Sequence, residues 1–104
     1  MVVGVSVCEL HLPGVRSLKG KRKIIKGLIE RLHHRYRISI AETAFHDLHQ
    51  RAEIGIAAVG QHEHEIENLL EDLRAVVERE PEALLSHWAT EIMPMDPHED
   101  LLTP

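Results

Sequence analysis

The spacing of apolar residues changes character along this chain, and that change constrains the fold more than any other feature. From Arg16 to Arg37 the sequence RSLKGKRKIIKGLIERLHHRYR places apolar residues three and four apart. Set at about 100° per residue, Leu18, Ile25, Leu28, Ile29 and Leu32 fall within one arc, with Ile24 at its edge, which predicts an amphipathic helix. Lys19, Lys23, Lys26, Glu30 and His34 lie opposite, while Lys21 and Arg22 flank the apolar arc near the first turn. Ser17 is the expected N-cap, because its hydroxyl can accept from a free amide of that turn. A second helical stretch, Gln61 to Arg79, repeats Ile66, Leu69, Leu70, Leu73 and Val77 at the same spacing, and Glu63 and Glu65 suit the positive end of its dipole.

Between and around these helices the period falls to two. Val2 to Leu12 reads as a buried strand bounded by Pro13-Gly14, with Val3, Val5 and Val7 expected under the helices and Gly4, Ser6, Cys8 and Leu10 on the other face. Tyr36 to Thr43 follows as a strand, with Ile38 and Ile40 alternating against Arg37, Ser39 and Ala41. Ala44 to Gln50 is the expected hairpin connection with a bulge. Arg51 to Val59 is the third strand, with Ile54, Ile56 and Ala58 inward, and Leu84 to Met93 the fourth. The order βαββαβ is the split βαβ plan, an α+β fold. Right-handed crossovers put both helices on one face of a four-stranded antiparallel sheet. Residues 1–93 form the predicted domain, and 94–104 a Pro-containing acidic tail.

The open face is then expected to carry Gly4, Ser6, Cys8, Ser39, Ala41, Gly55 and Ala57. The few aromatic residues, Tyr36, Phe45 and Trp88, do not provide the central-strand stacking platform of an RNA-recognition sheet. A face of small residues instead permits close approach of a second copy, so a homodimer through the open sheet face is expected.

A chain of 104 residues suits one domain with a real core. The single cysteine, Cys8, excludes an internal disulfide and fits a reducing compartment. The opening VVGVSVC lacks the basic leader and apolar run of a secretory signal, and no stretch reaches the roughly 20 apolar residues of a membrane span. A cytoplasmic location is therefore expected.

The net charge of -5 conceals a strong asymmetry. Residues 16–37 hold nine of the twelve Lys and Arg residues against the single acid Glu30, or +8, whereas residues 61–104 hold two bases and twelve acids, or -10. Lys19, Lys21, Arg22 and Lys23 crowd the end of the first helix where a cation is unfavourable, and Gly20 and Gly27 each cost about 0.8–1 kcal/mol in its interior. A cluster so placed suits an anion better than it suits the helix. Arg16, Lys19, Lys21, Arg22, Lys23 and Lys26 are therefore the candidate RNA- or anion-binding residues, acting as phosphate contacts that position without reading sequence. The competing account is mutual neutralisation by the acidic second helix, through surface pairs worth about 0–1 kcal/mol each.

Other chemistries are less favoured. The nine histidines include His46 and His49 around Asp47, and His62 and His64, which at a separation of two point apart on a helix. No zinc-ligand spacing or HExxH pattern is present, so no metal or other cofactor is expected. Glu42, Asp47 and Arg51 can gather at the second hairpin as a carboxylate and cation cluster, the one place where a small-molecule enzyme would find acid and base. Such a cluster more often fixes a hairpin, and no catalytic residue is assigned.

The residues Ser17-Leu18-Lys19-Gly20-Lys21-Arg22, then Ile38-Ser39-Ile40-Ala41-Glu42, then Asp47-Leu48-His49-Gln50-Arg51-Ala52 and Ile54-Gly55-Ile56-Ala57 resemble the YlxP-like family of uncharacterised bacterial proteins. The resemblance runs from about Val2 to Met93. It implies a ferredoxin-like fold and supplies no established catalytic residues. Genes of the family often lie near those for translation factors and ribosome maturation, which implies a role around the ribosome or RNA. Residues and resemblance together predict a non-enzymatic binding protein that contacts structured RNA or a ribosomal subunit through its basic first helix. An interaction or dimerisation module without RNA binding is the alternative from a different class.

Overall fold

The computed structural model describes residues 1–95. Six elements follow in the expected order: β1 (Val2–His11), α1 (Leu18–Arg35), β2 (Ser39–Ala44), β3 (Arg51–Gly60), α2 (Glu63–Glu78) and β4 (Leu84–Pro94). The strands form one antiparallel sheet in the order β2-β3-β1-β4, so the two βαβ halves interleave and the chain has the ferredoxin-like topology. Pro94, expected to open the acidic tail, is the last residue of β4. Met95 follows it, and residues 96–104 of that tail lie outside the described residues.

Ser17 caps α1 as its sequence predicts, in extended backbone, with its hydroxyl accepting from the Gly20 amide at 3.0 Å. The buried stripe of α1 is Lys21, Ile25, Leu28 and Leu32, and that of α2 is Ile66, Leu70, Leu73 and Val77. Both meet Ile54, Ile56 and Ala58 of β3 in one core with Cys8, Leu10 and Leu12. His62 is the extended residue before α2, not a helical one, and its ring stacks on that of His64 at 5.7 Å instead of pointing away from it.

The faces of β1 are the reverse of the sequence expectation. Val2, Gly4, Ser6, Cys8 and Leu10 are buried under the helices, while Val3, Val5 and Val7 lie on the open face. The reason is the closeness of α2. A Cβ on Gly4 would sit 2.2 Å from Cγ2 of Ile66 and 3.1 Å from Cδ1 of Leu70, so the strand must present its smallest residue where the helix crosses. Ser6, beside it, is satisfied by the Thr90 hydroxyl at 2.9 Å. The valines therefore join Ala57, Val59, Ala89 and Met93 on the open side, where Glu91 stands opposite Val5 and Glu9 opposite Glu53. That surface is more apolar than the expected small-residue face.

Burial governs the chemistry of Cys8. Desolvation, augmented by the charge of Glu53 and partly offset by a hydrogen bond from Ile54, pushes its thiol from 9.0 up to about 11. Between those values the folded protein keeps a proton that the unfolded chain releases, so folding stability is intact below pH 9 and falls as pH rises toward 11. Native Cys8 is expected to resist a thiol reagent at pH 8 and to react fully in denaturant. The alkaline loss of unfolding free energy should exceed that of Cys8→Ala by on the order of 2 kcal/mol, measured by urea titration across pH.

Candidate functional site

The basic segment resolves into two populations. Arg16, Lys19, Arg22, Lys23 and Lys26 are exposed around the start of α1. On an ideal helix the last four span an arc of about 100° over roughly 10 Å, forming one patch two turns long. The first turn contains no acid. Among the described residues Arg16, Lys19, Arg22 and Lys23 form no ion pair, and Lys26 has a single loose one, 4.0 Å from Glu30 with both side chains exposed. Nor does any ion pair there join α1 to α2. Arg31 instead binds Glu80, just beyond α2.

Lys21 is the correction to the expected set. It is fully buried and cannot meet a phosphate at the surface. Its ammonium donates to the backbone carbonyls of Phe45 at 2.7 Å and Arg51 at 3.2 Å, and lies 2.9 Å from Oε2 of Glu42. The last approach is a charge contact outside hydrogen-bond alignment, so this buried carboxylate oxygen has no aligned donor among the described residues. Phe45 adopts φ 62°, an uncommon region for a residue with a side chain. That conformation is held from both sides, by Lys21 on its carbonyl and by the Arg51 guanidinium 3.9 Å above its ring.

The remainder of the second hairpin is built on the same residues. Thr43 is the bulge between Glu42 and Ala44 in the pairing with β3. Arg51 reaches Glu9 of β1 through two hydrogen bonds, at 2.9 and 3.3 Å. Gln50 donates its amide to the carbonyls of Val15 at 3.1 Å and Pro13 at 3.3 Å, tying the hairpin to the loop that leads into α1. The expected cluster of Glu42, Asp47 and Arg51 is thus divided: Glu42 faces Lys21, Arg51 faces Glu9, and Asp47 is exposed with no ion pair among the described residues. This arrangement ties the hairpin to α1 through Lys21 and to β1 through Glu9. Among the described residues no three His, Cys, Asp or Glu side chains gather as a metal site, and no helix is long and apolar enough to cross a membrane.

Residues 3–90 match the family model described as "Protein of unknown function (DUF503)". The chain belongs to this family. A relative, "Uncharacterized protein YlxP" of Bacillus subtilis (strain 168), is 32% identical over 81 residues, which cover 78% of this chain and 88% of the relative. A similar solved structure is the solution NMR structure of a de novo designed protein with ferredoxin fold, 15% identical, with a TM-score of 0.46 over 91% of this chain and 87% of the designed one. Seen beside the geometry, the stretches that carry the family resemblance are largely those that meet at Lys21. Ser17 caps the helix, Lys21 fills the centre, Glu42 faces it, Gln50 binds the loop before α1 and Arg51 binds Glu9 of β1.

Proposed function

We propose that this DUF503 protein is a non-enzymatic, cytoplasmic RNA-binding protein that contacts structured RNA or a ribosomal subunit through the exposed start of α1. The supporting observation is the patch formed by Arg16, Lys19, Arg22 and Lys23, which has no acidic partner among the described residues and sits at the positive end of a helix whose stability it lowers. Its cations position phosphates, and shape sets recognition. Five surface cations, now without Lys21, give a slope of about -4 in log affinity against log salt. The test is binding to ribosomal RNA and to small ribosomal subunits across a salt series. A slope near zero, or no binding at low salt, removes the RNA reading.

The open sheet face favours a second reading, a homodimer. Val7, Val59 and Met93 are 42%, 66% and 39% exposed and with Val3 and Val5 form an apolar surface on β1 and its neighbours, bordered by Glu91 on β4. Sedimentation equilibrium at about 100 μM should give a dimer mass, and Val5→Lys with Val7→Lys a folded monomer. A monomeric wild type at that concentration rejects this arrangement.

A further inference from the structure

A groove runs beside α1 on the side facing the connection between α2 and β4. Its larger part, about 460 Å³, lies between Lys23, Gly27 and Arg31 of the helix and Glu80 and Glu82 of the connection, with Arg16 at one end. An adjoining cleft of about 320 Å³ shares Ile24 and Glu82 and extends to Pro13, Pro81 and Leu84, the last 58% exposed. The larger part therefore carries three cations against two acids, and the cleft is mainly apolar, with Glu82 common to both.

Two glycines border this groove at positions where packing does not require them. A Cβ on Gly14 or Gly27 would meet nothing within 4 Å, and neither glycine has positive φ. In contrast, Gly4 and Gly60 are demanded by Ile66, whose side-chain atoms would lie 2.2 and 2.9 Å from an added Cβ. Gly27 also weakens its helix relative to alanine, so the space it leaves has a cost and no internal occupant.

The charges define what could occupy that space. Among the described residues Arg16 and Lys23 have no ion-pair partner, whereas Arg31 is held by Glu80. Glu82, which also lines the groove, repels a phosphate but accepts a hydrogen bond from an amino group on a base edge. We propose that the groove receives one extruded nucleotide of the bound RNA. Its phosphate lies between Arg16 and Lys23, its backbone passes over Gly27, and its base rests on Ile24, Pro81 and Leu84 with Glu82 accepting from an exocyclic amine. This assignment rests on the RNA-binding reading above. It adds that unpaired nucleotides in bulges or loops, which can be splayed from the stack, are what the protein selects.

The test compares an RNA hairpin carrying a single bulged cytidine with its fully paired counterpart, by fluorescence anisotropy, for wild type and Gly27→Gln. Glutamine is a good helix former, so the variant should melt no lower than wild type while its side chain fills the groove. Wild type is expected to prefer the bulged hairpin about tenfold. Gly27→Gln should bind both hairpins as wild type binds the paired one. If Gly27→Gln keeps the preference, or wild type binds both hairpins equally, the groove is not the nucleotide site and the outer-face reading stands without it. If wild type binds neither hairpin at low salt, both readings fall.

Discussion

Replacing Lys21 by methionine is expected to cost about 3–5 kcal/mol of folding free energy, a large share of the roughly 5–15 kcal/mol available to a small domain. Methionine keeps the length and apolar stem of the side chain, so the loss isolates the ammonium. Without it, the carbonyls of Phe45 and Arg51 lose their donor and the Glu42 carboxylate, 17% exposed, loses its counter-ion. A buried charge left alone is the expensive outcome. Adding Glu42→Leu to Lys21→Met should therefore recover much of the loss, and the double-mutant cycle should report a coupling of about 2–3 kcal/mol. Urea unfolding with an unchanged slope would measure it. A cost below about 1 kcal/mol for Lys21→Met would show that the contacts around its ammonium do not hold the hairpin.

Reversing the outer cations should do the opposite to stability. The variant Lys19→Glu, Arg22→Glu, Lys23→Glu and Lys26→Glu leaves the buried ammonium untouched and places an acid in the first turn, where it gains about 0.3–1 kcal/mol from the helix dipole. The variant is thus expected to unfold at the same or slightly higher urea concentration. Its affinity for ribosomal RNA should fall at least about 100-fold at low salt, because four phosphate contacts become repulsions, and the salt slope should collapse with it. Circular dichroism and binding on one preparation check both halves. Retained affinity in a folded variant would move the RNA surface away from α1. Lost affinity without lost stability would separate the function of these cations from any part in the fold.

The architecture was legible because period and punctuation agreed in order and type along the chain, down to the Ser17 cap, although the bulge falls at Thr43 within β2 and not in the connection from Ala44 to Gln50. The face of β1 was not. Both of its faces are apolar, so valine content could not decide, and the deciding fact was the passage of Ile66 over Gly4, a contact between residues far apart in sequence. Lys21 is a more instructive case. It lies four residues before Ile25, seven before Leu28 and eleven before Leu32, in register with the buried stripe. Glu42 shares the phase of Ile40 on β2 and of Ile38 just before that strand. A lysine and a glutamate each in phase with a core stripe carry the signature of a buried pair, but the crowd of neighbouring cations made Lys21 read as surface. Glu9 went unnoticed as the partner of Arg51, since the two meet only across the β1–β3 register.

The anchoring of Lys21 bears on whatever meets α1 from outside. Its ammonium fastens the second turn of the helix to backbone 24 and 30 residues away, and Ser17 fixes the turn before it. The outer side chains thus stand on backbone that has already surrendered its freedom during folding. A partner docking there has only side-chain rotamers left to order, each costing about 0.5–1.5 kcal/mol, and no segment to fold. The entropy of presenting the surface is paid once, at folding.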